Sequence, residues 1–144
     1  MATIVHVERI KDLFPSDVAE EMMEIPEDIG LCAYNSAKAA MDYQDYNVRY
    51  CEGWLGNVVG HAFNRMTDKD GNVHYFDISQ EYLNELDPTN IPEDVELEKE
   101  LDIVDVIRTF DEDGEAHLIT VPIRKGGNTY AWYKENDMVE LYWD

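Results

Sequence analysis

Two stretches with alternating apolar and polar residues, His61-Ala-Phe-Asn-Arg-Met66 and Asn72-Val-His-Tyr-Phe-Asp-Ile78, flank the turn-forming run Asp68-Lys-Asp-Gly71. Asp and Gly tolerate the tight, partly left-handed backbone that joins adjacent antiparallel strands. The middle of the chain is therefore committed to a β-hairpin, and the rest must supply the layer that covers it.

Several further elements can be read around the hairpin. Thr3-Ile-Val-His-Val7 suits a short strand, and Ser16 is placed to cap a helix running from about Asp17 to Glu24, with Asp17, Glu20 and Glu21 at its favourable end. Pro26 closes that helix. A turn-rich segment to Gly30 leads to a second helix, Leu31 to about Tyr43, whose Ala33, Ala37, Ala40 and Met41 make a narrow face suited to close packing on a sheet. Asn47 to Leu55 reads as a strand, followed by a connection containing glycine. Leu97, Leu101, Val104 and Ile107 follow helical spacing, whereas Ile103 to Phe110 fits a strand equally well. The end of the chain reads as antiparallel strands at 117–123, 129–134 and 138–143. The expected class is α+β, as a single domain.

Charge narrows the partners. The formal net charge of the 144 residues is −21, and residues 81–115 hold fourteen acids against two bases. Such a field repels nucleic acid phosphates and anionic membranes, so no direct nucleic acid binding and no membrane association are expected. Segment 81–115 is expected on the periphery, as a solvated face or a docking surface for a basic protein. Two cysteines make no disulfide framework, and the start lacks the basic and apolar regions of a secretory signal, which points to a cytoplasmic protein with reduced thiols.

A thiol nucleophile needs an imidazole to take its proton and a third group to orient the ring. Cys32 falls at a helix start, where backbone amides and the helix dipole favour thiolate and where its own amide can meet an oxyanion. Cys51 falls inside a strand and lacks that setting. His61 opens the first strand of the hairpin and Asp77 closes the second, so antiparallel pairing draws the two together.

The order Gly30-Leu-Cys32, His61-Ala-Phe-Asn64, the Asp-Gly turn and Tyr75-Phe-Asp77-Ile-Ser79 resembles the transglutaminase-like branch of the papain-like superfamily. The likeness covers residues 29–79. It implies a central helix carrying Cys32 packed on an antiparallel sheet, with Cys32 as nucleophile, His61 as general base and acid, and Asp77 orienting the imidazole. Three features depart from that pattern. Ile78-Ser79 stands where Pro-Thr often follows the acid, no aromatic residue directly follows Cys32, and no upstream Gln offers an oxyanion donor.

Asn64 and Trp54 are further candidates for a substrate site, while His6, His74 and His117 read as structural. No cofactor is expected. Metal binding finds neither a Cys-x-x-Cys pair nor a His-Glu-x-x-His helix, and Asp68-Lys-Asp-Gly-Asn lacks the Glu of a calcium loop. The leading expectation is a cysteine-dependent hydrolase or acyltransferase acting on a peptide or small amide through a Cys32 thioester. The alternative is a non-catalytic acidic interaction or inhibitor protein on the same fold, its charged face imitating nucleic acid.

Overall fold

A computed structural model describes residues 3–26, 31–56 and 59–121. Five strands form one sheet in the order β1-β5-β2-β3-β4: β1 (Thr3–Val5), β2 (Arg49–Leu55), β3 (Val59–Thr67), β4 (Val73–Phe76) and β5 (Val95–Leu101). Among the described residues five α-helices accompany them: α1 (Ile10–Leu13), α2 (Ser16–Met22), α3 (Cys32–Asp42), α4 (Ile78–Leu86) and α5 (Ile103–Asp113). All strand pairs in the sheet are antiparallel. The architecture is α+β.

The N-terminal segment touches both edges of the sheet. Thr3–Val5 pairs with β5, while Val7 bridges Tyr75 in β4 and the Glu8 amide donates to the Tyr75 carbonyl at 2.8 Å. The sheet is thereby curled on itself, with the N-terminal segment meeting β4 at Tyr75. Alternation along the strands then divides the core. Tyr50, Ala62, Met66 and Phe76 pack with Ala33, Ala37 and Ala40 of α3, whereas Cys51, Phe63 and Val95 join Val5 and Val7 on the other face. Completely burying one large apolar side chain such as Phe63 contributes roughly 1.5–3 kcal/mol.

The hairpin forms where the turn chemistry places it. The Asp68 carboxylate accepts from the amides of Asp70 and Asn72, both at 2.9 Å, and Gly71 takes the left-handed φ of 83°. A second glycine is fixed by crowding. A β-carbon on Gly53 would lie 1.8 Å from the Glu96 carbonyl oxygen, at the place where the β2–β5 register slips.

Three expectations need correction, and one open boundary is decided. Ser16 is the first residue of α2 rather than its cap; Pro15 precedes it, and no side chain caps the helix. The ambiguous stretch after residue 97 contains both elements: Leu97 and Leu101 lie in β5, and Val104 and Ile107 lie in α5, which begins where Asp102 accepts from the Val104 amide. The acidic segment is not wholly peripheral, because β5 lies between β1 and β2, with Val95 buried. Residues 117–121 are not a strand. Instead the Ile119 and Thr120 amides bind the buried Glu52 carboxylate, and Leu118 and Val121 lie over Gly60. The strands expected at 129–134 and 138–143 lie outside the described residues.

Candidate active site

Asp77 owes its position to the end of the β3–β4 ladder. The last pair is Asn64 with Phe76, after which the chain leaves the sheet and turns into α4. β3 runs on past that point to His61 with no β4 residue beside it. Asp77 is therefore left at the ladder's end, two positions from His61 in register, as the N-cap of α4 rather than the close of a strand. One carboxylate oxygen, Oδ1, accepts from the Gln80 amide at 3.1 Å. The other, Oδ2, lies 2.5 Å from His61 Nε2.

The His61–Asp77 pair is buried, with Asp77 wholly enclosed. Burial alone disfavours imidazolium, but the Asp77 charge and hydrogen bond outweigh it, and the hydrogen bond and charge of Cys32 act in the same direction. His61 is held well above the ordinary histidine range. Cys32 thus lies within hydrogen-bonding reach of the imidazole. Because Asp77 occupies Nε2, Nδ1 is the ring nitrogen available to exchange a proton with a thiol.

Cys32 is the first residue of α3, after Leu31, and is only partly buried. The Leu31 carbonyl receives its helical bond from the Asn35 amide at 2.8 Å, so the preceding first-turn amides of Cys32, Ala33 and Tyr34 have no intrahelical acceptor. Cys32 keeps some access to solvent in the native fold. Cys51 has none: it is fully buried, and burial, with the Glu100 charge adding to it, pushes its thiol up to about 12.

Two buried amides fix α3 to the elements bearing the other two residues. Asn64 Nδ2 donates to the Ser36 carbonyl at 2.8 Å and to the Arg49 carbonyl at 3.0 Å, joining α3, β3 and β2. Asn35 Nδ2 donates to Ser79 Oγ at 3.1 Å, joining α3 to α4. The α4 start is held in turn by Glu81, whose carboxylate accepts from Arg9 Nε at 3.0 Å and from the Ile10 amide at 2.9 Å. Asn64 and Trp54, the further substrate-site candidates, are both enclosed: Asn64 is wholly buried and Trp54 is 3% exposed. Asn64 acts instead as a bracket between layers.

The remaining histidines lie elsewhere. His6 meets Asp94, His74 sits between Glu8 and Asp68, and His117 meets Asp113 and the Leu118 carbonyl. Among the described residues no group of three or more His, Cys, Asp or Glu side chains is arranged to hold a metal ion, and no helix is long and apolar enough to cross a membrane.

Asn35 and Gln80 were not singled out in the sequence. A signal for Gln80 was present, because Asp77-Ile-Ser-Gln80 has the spacing of a helix-capping box, which also marks the start of α4. Comparison with protein-family models, with curated proteins and with solved structures yields no match.

Proposed function

We propose that the chain is a cysteine-dependent amide hydrolase or acyltransferase in which Cys32, His61 and Asp77 act as nucleophile, general base and acid, and orienting carboxylate. The observation that carries this reading is the buried imidazole, bound through Nε2 to Asp77 at 2.5 Å and within hydrogen-bonding reach of Cys32. The order of these three residues, which resembles the transglutaminase-like branch of the papain-like superfamily, agrees with the reading.

The chemistry follows from the roles. The thiol proton is carried on His61, whose raised basicity favours holding it, as sulfur attacks the amide carbon, and the oxyanion that forms meets the Cys32 amide at the start of α3. Collapse breaks the C–N bond, and His61 returns the proton to the departing amine. Water or a second amine then attacks the thioester, giving up a proton to His61, which restores it to the Cys32 sulfur. Asp77 keeps the ring in one orientation through both halves.

Brief treatment of the native protein with iodoacetamide, followed by peptide mapping, tests the reading. Cys32 is expected to be modified first, and His61→Ala is expected to slow its modification about tenfold or more. Cys32 labelling indifferent to His61→Ala would remove the chemical basis of the proposal. The acidic face, as a binding surface for a basic protein, would then be the reading to pursue by salt-dependent capture.

A further inference from the structure

Asp77 is oriented by more than its helix-capping bond. Its Oδ2 atom, which holds His61, also accepts from Gln80 Nε2 at 2.8 Å. The Gln80 amide is itself pinned at both ends by one residue outside α4. Its Oε1 accepts from the Glu93 backbone amide at 2.6 Å, and its Nε2 donates to the Glu93 carbonyl at 3.0 Å. This two-point pairing settles which end of the side chain is which. Reversing the amide would aim its NH2 at the Glu93 N–H and its oxygen at both the Glu93 carbonyl and the Asp77 carboxylate, losing three hydrogen bonds at once.

We propose that Gln80 is a positioning residue of the Cys32–His61–Asp77 site, a buried amide that locks the Asp77 carboxylate in the plane from which it holds the His61 ring. The assignment rests on the thiol-enzyme reading for its catalytic meaning, although the bridge itself is independent of that reading. Three N–H groups converge on the carboxylate: Gln80 N on Oδ1, and Gln80 Nε2 and His61 Nε2 on Oδ2. Without the side-chain amide, Asp77 keeps its backbone cap but can rotate about χ2, and the imidazole follows it. The consequence falls on the thiol, two bonds removed: a ring that wobbles spends less time with Nδ1 aimed at Cys32. Because Glu93 contributes only its backbone, its side chain is free to change without affecting the bridge.

Gln80→Leu removes the amide and retains much of the side-chain bulk. Two readouts on the full chain test the proposal: the rate of Cys32 alkylation by iodoacetamide across pH, and the proton resonance of His61 Nε2–H. Gln80→Leu is expected to slow alkylation about tenfold near neutral pH and to move and broaden the His61 resonance, while core amide signals stay in place. A folded variant whose His61 resonance is unchanged overturns the proposal, whether or not its alkylation rate falls, since a rate change alone then reflects general loosening. If the variant does not fold, hydrogen exchange in the unaltered protein decides. Slowly exchanging Gln80 side-chain amide protons support the bridge, and exchange at the rate of a free glutamine overturns it. Failure of the thiol reading is separately visible, as Cys32 alkylation indifferent to His61→Ala while the His61 resonance still responds to Gln80→Leu.

Discussion

His61 and Asp77 are 16 residues apart in the chain, and their Nε2 and Oδ2 atoms lie 2.5 Å apart in the buried interior. Burial opposes the charged ring, and the carboxylate more than reverses that effect, so the folded protein holds the imidazole proton more tightly than the unfolded chain does. The sign of the pH dependence follows. At pH below about 6.5, the ordinary histidine value, both states are protonated and the pair's stabilisation is present in full. As pH rises through the higher folded value, the native state loses its proton and that stabilisation disappears. Urea melts at stepped pH should therefore show a decline above about pH 6.5 that is smaller in His61→Ala. Equal slopes in the two proteins would contradict the strength assigned to the pair.

The contrast between the two thiols gives a second prediction. Cys51 is enclosed among Val5, Val7, Phe63 and Val95, and its thiol is pushed up to about 12 by burial and by Glu100. Cys32 is partly open and adjoins His61. Near neutral pH, native Cys32 should be alkylated at least about a hundredfold faster than Cys51, and Asp77→Ala should narrow the gap less than His61→Ala. Peptide mapping after seconds to minutes of exposure measures both sites in one sample. Equal labelling of the two cysteines would contradict the environments described.

How much of this was legible differs from residue to residue. The hairpin could be read because Asp68 and Gly71 carry their own turn chemistry, and α3 because its alanines repeat at helical spacing. The helix after Asp77 was missed because Tyr75-Phe-Asp-Ile continues an alternating strand pattern, and only the capping spacing to Gln80 signals a helix there. The β5–α5 boundary was ambiguous because Leu97 to Ile107 satisfies both periodicities, and Asp102 decides it by capping. Asn64, His61 and Asp77 were visible as residues. The ties that place them, Asn64 to Ser36 and Gln80 to Glu93, depend on long-range packing that no local pattern encodes. Charge misled in one respect: β5 is rich in glutamate yet lies inside the sheet, because a strand needs only one buried face.

Gly53 supplies a prediction about the scaffold. A β-carbon there would sit 1.8 Å from the Glu96 carbonyl oxygen, a backbone atom that cannot move without disturbing the β2–β5 ladder. Gly53→Ala should cost about 3 kcal/mol or more and lower the urea midpoint of unfolding. Gly56→Ala is a useful comparison, since nothing lies within 4 Å of the added carbon and only its φ of 59° opposes the change. It should cost about 1 kcal/mol. Comparable losses at the two positions would mean that backbone conformation, rather than the close approach to Glu96, governs Gly53.

The last prediction concerns Glu52, which is fully buried on the sheet. Its carboxylate accepts from Tyr50 Oη at 2.6 Å, from the Ile119 amide at 2.8 and 2.9 Å, and from the Thr120 amide and hydroxyl at 2.6 and 2.9 Å. Burial and the Glu52 charge together push the Tyr50 phenol up, so it remains a donor to the carboxylate. Glu52→Ala leaves a phenol, a hydroxyl and two backbone amides with no acceptor, and should cost about 3 kcal/mol or more. Glu52→Gln is milder, because an NH2 in place of Oε2 can face Tyr50, whose hydroxyl rotates to accept, and Oε1 still receives the Ile119 and Thr120 amides, so the loss is confined to the second bond that Oε2 accepted from the Ile119 amide. That variant should stay within about 1.5 kcal/mol of the unaltered protein. Hydrogen exchange locates the effect: the Ile119 and Thr120 amides should exchange much faster in Glu52→Ala and nearly normally in Glu52→Gln, whereas the β3–β4 amides should change little. Continued protection of Ile119 and Thr120 in Glu52→Ala would show that packing of Leu118 and Val121 over Gly60, rather than the carboxylate, holds this segment to the sheet.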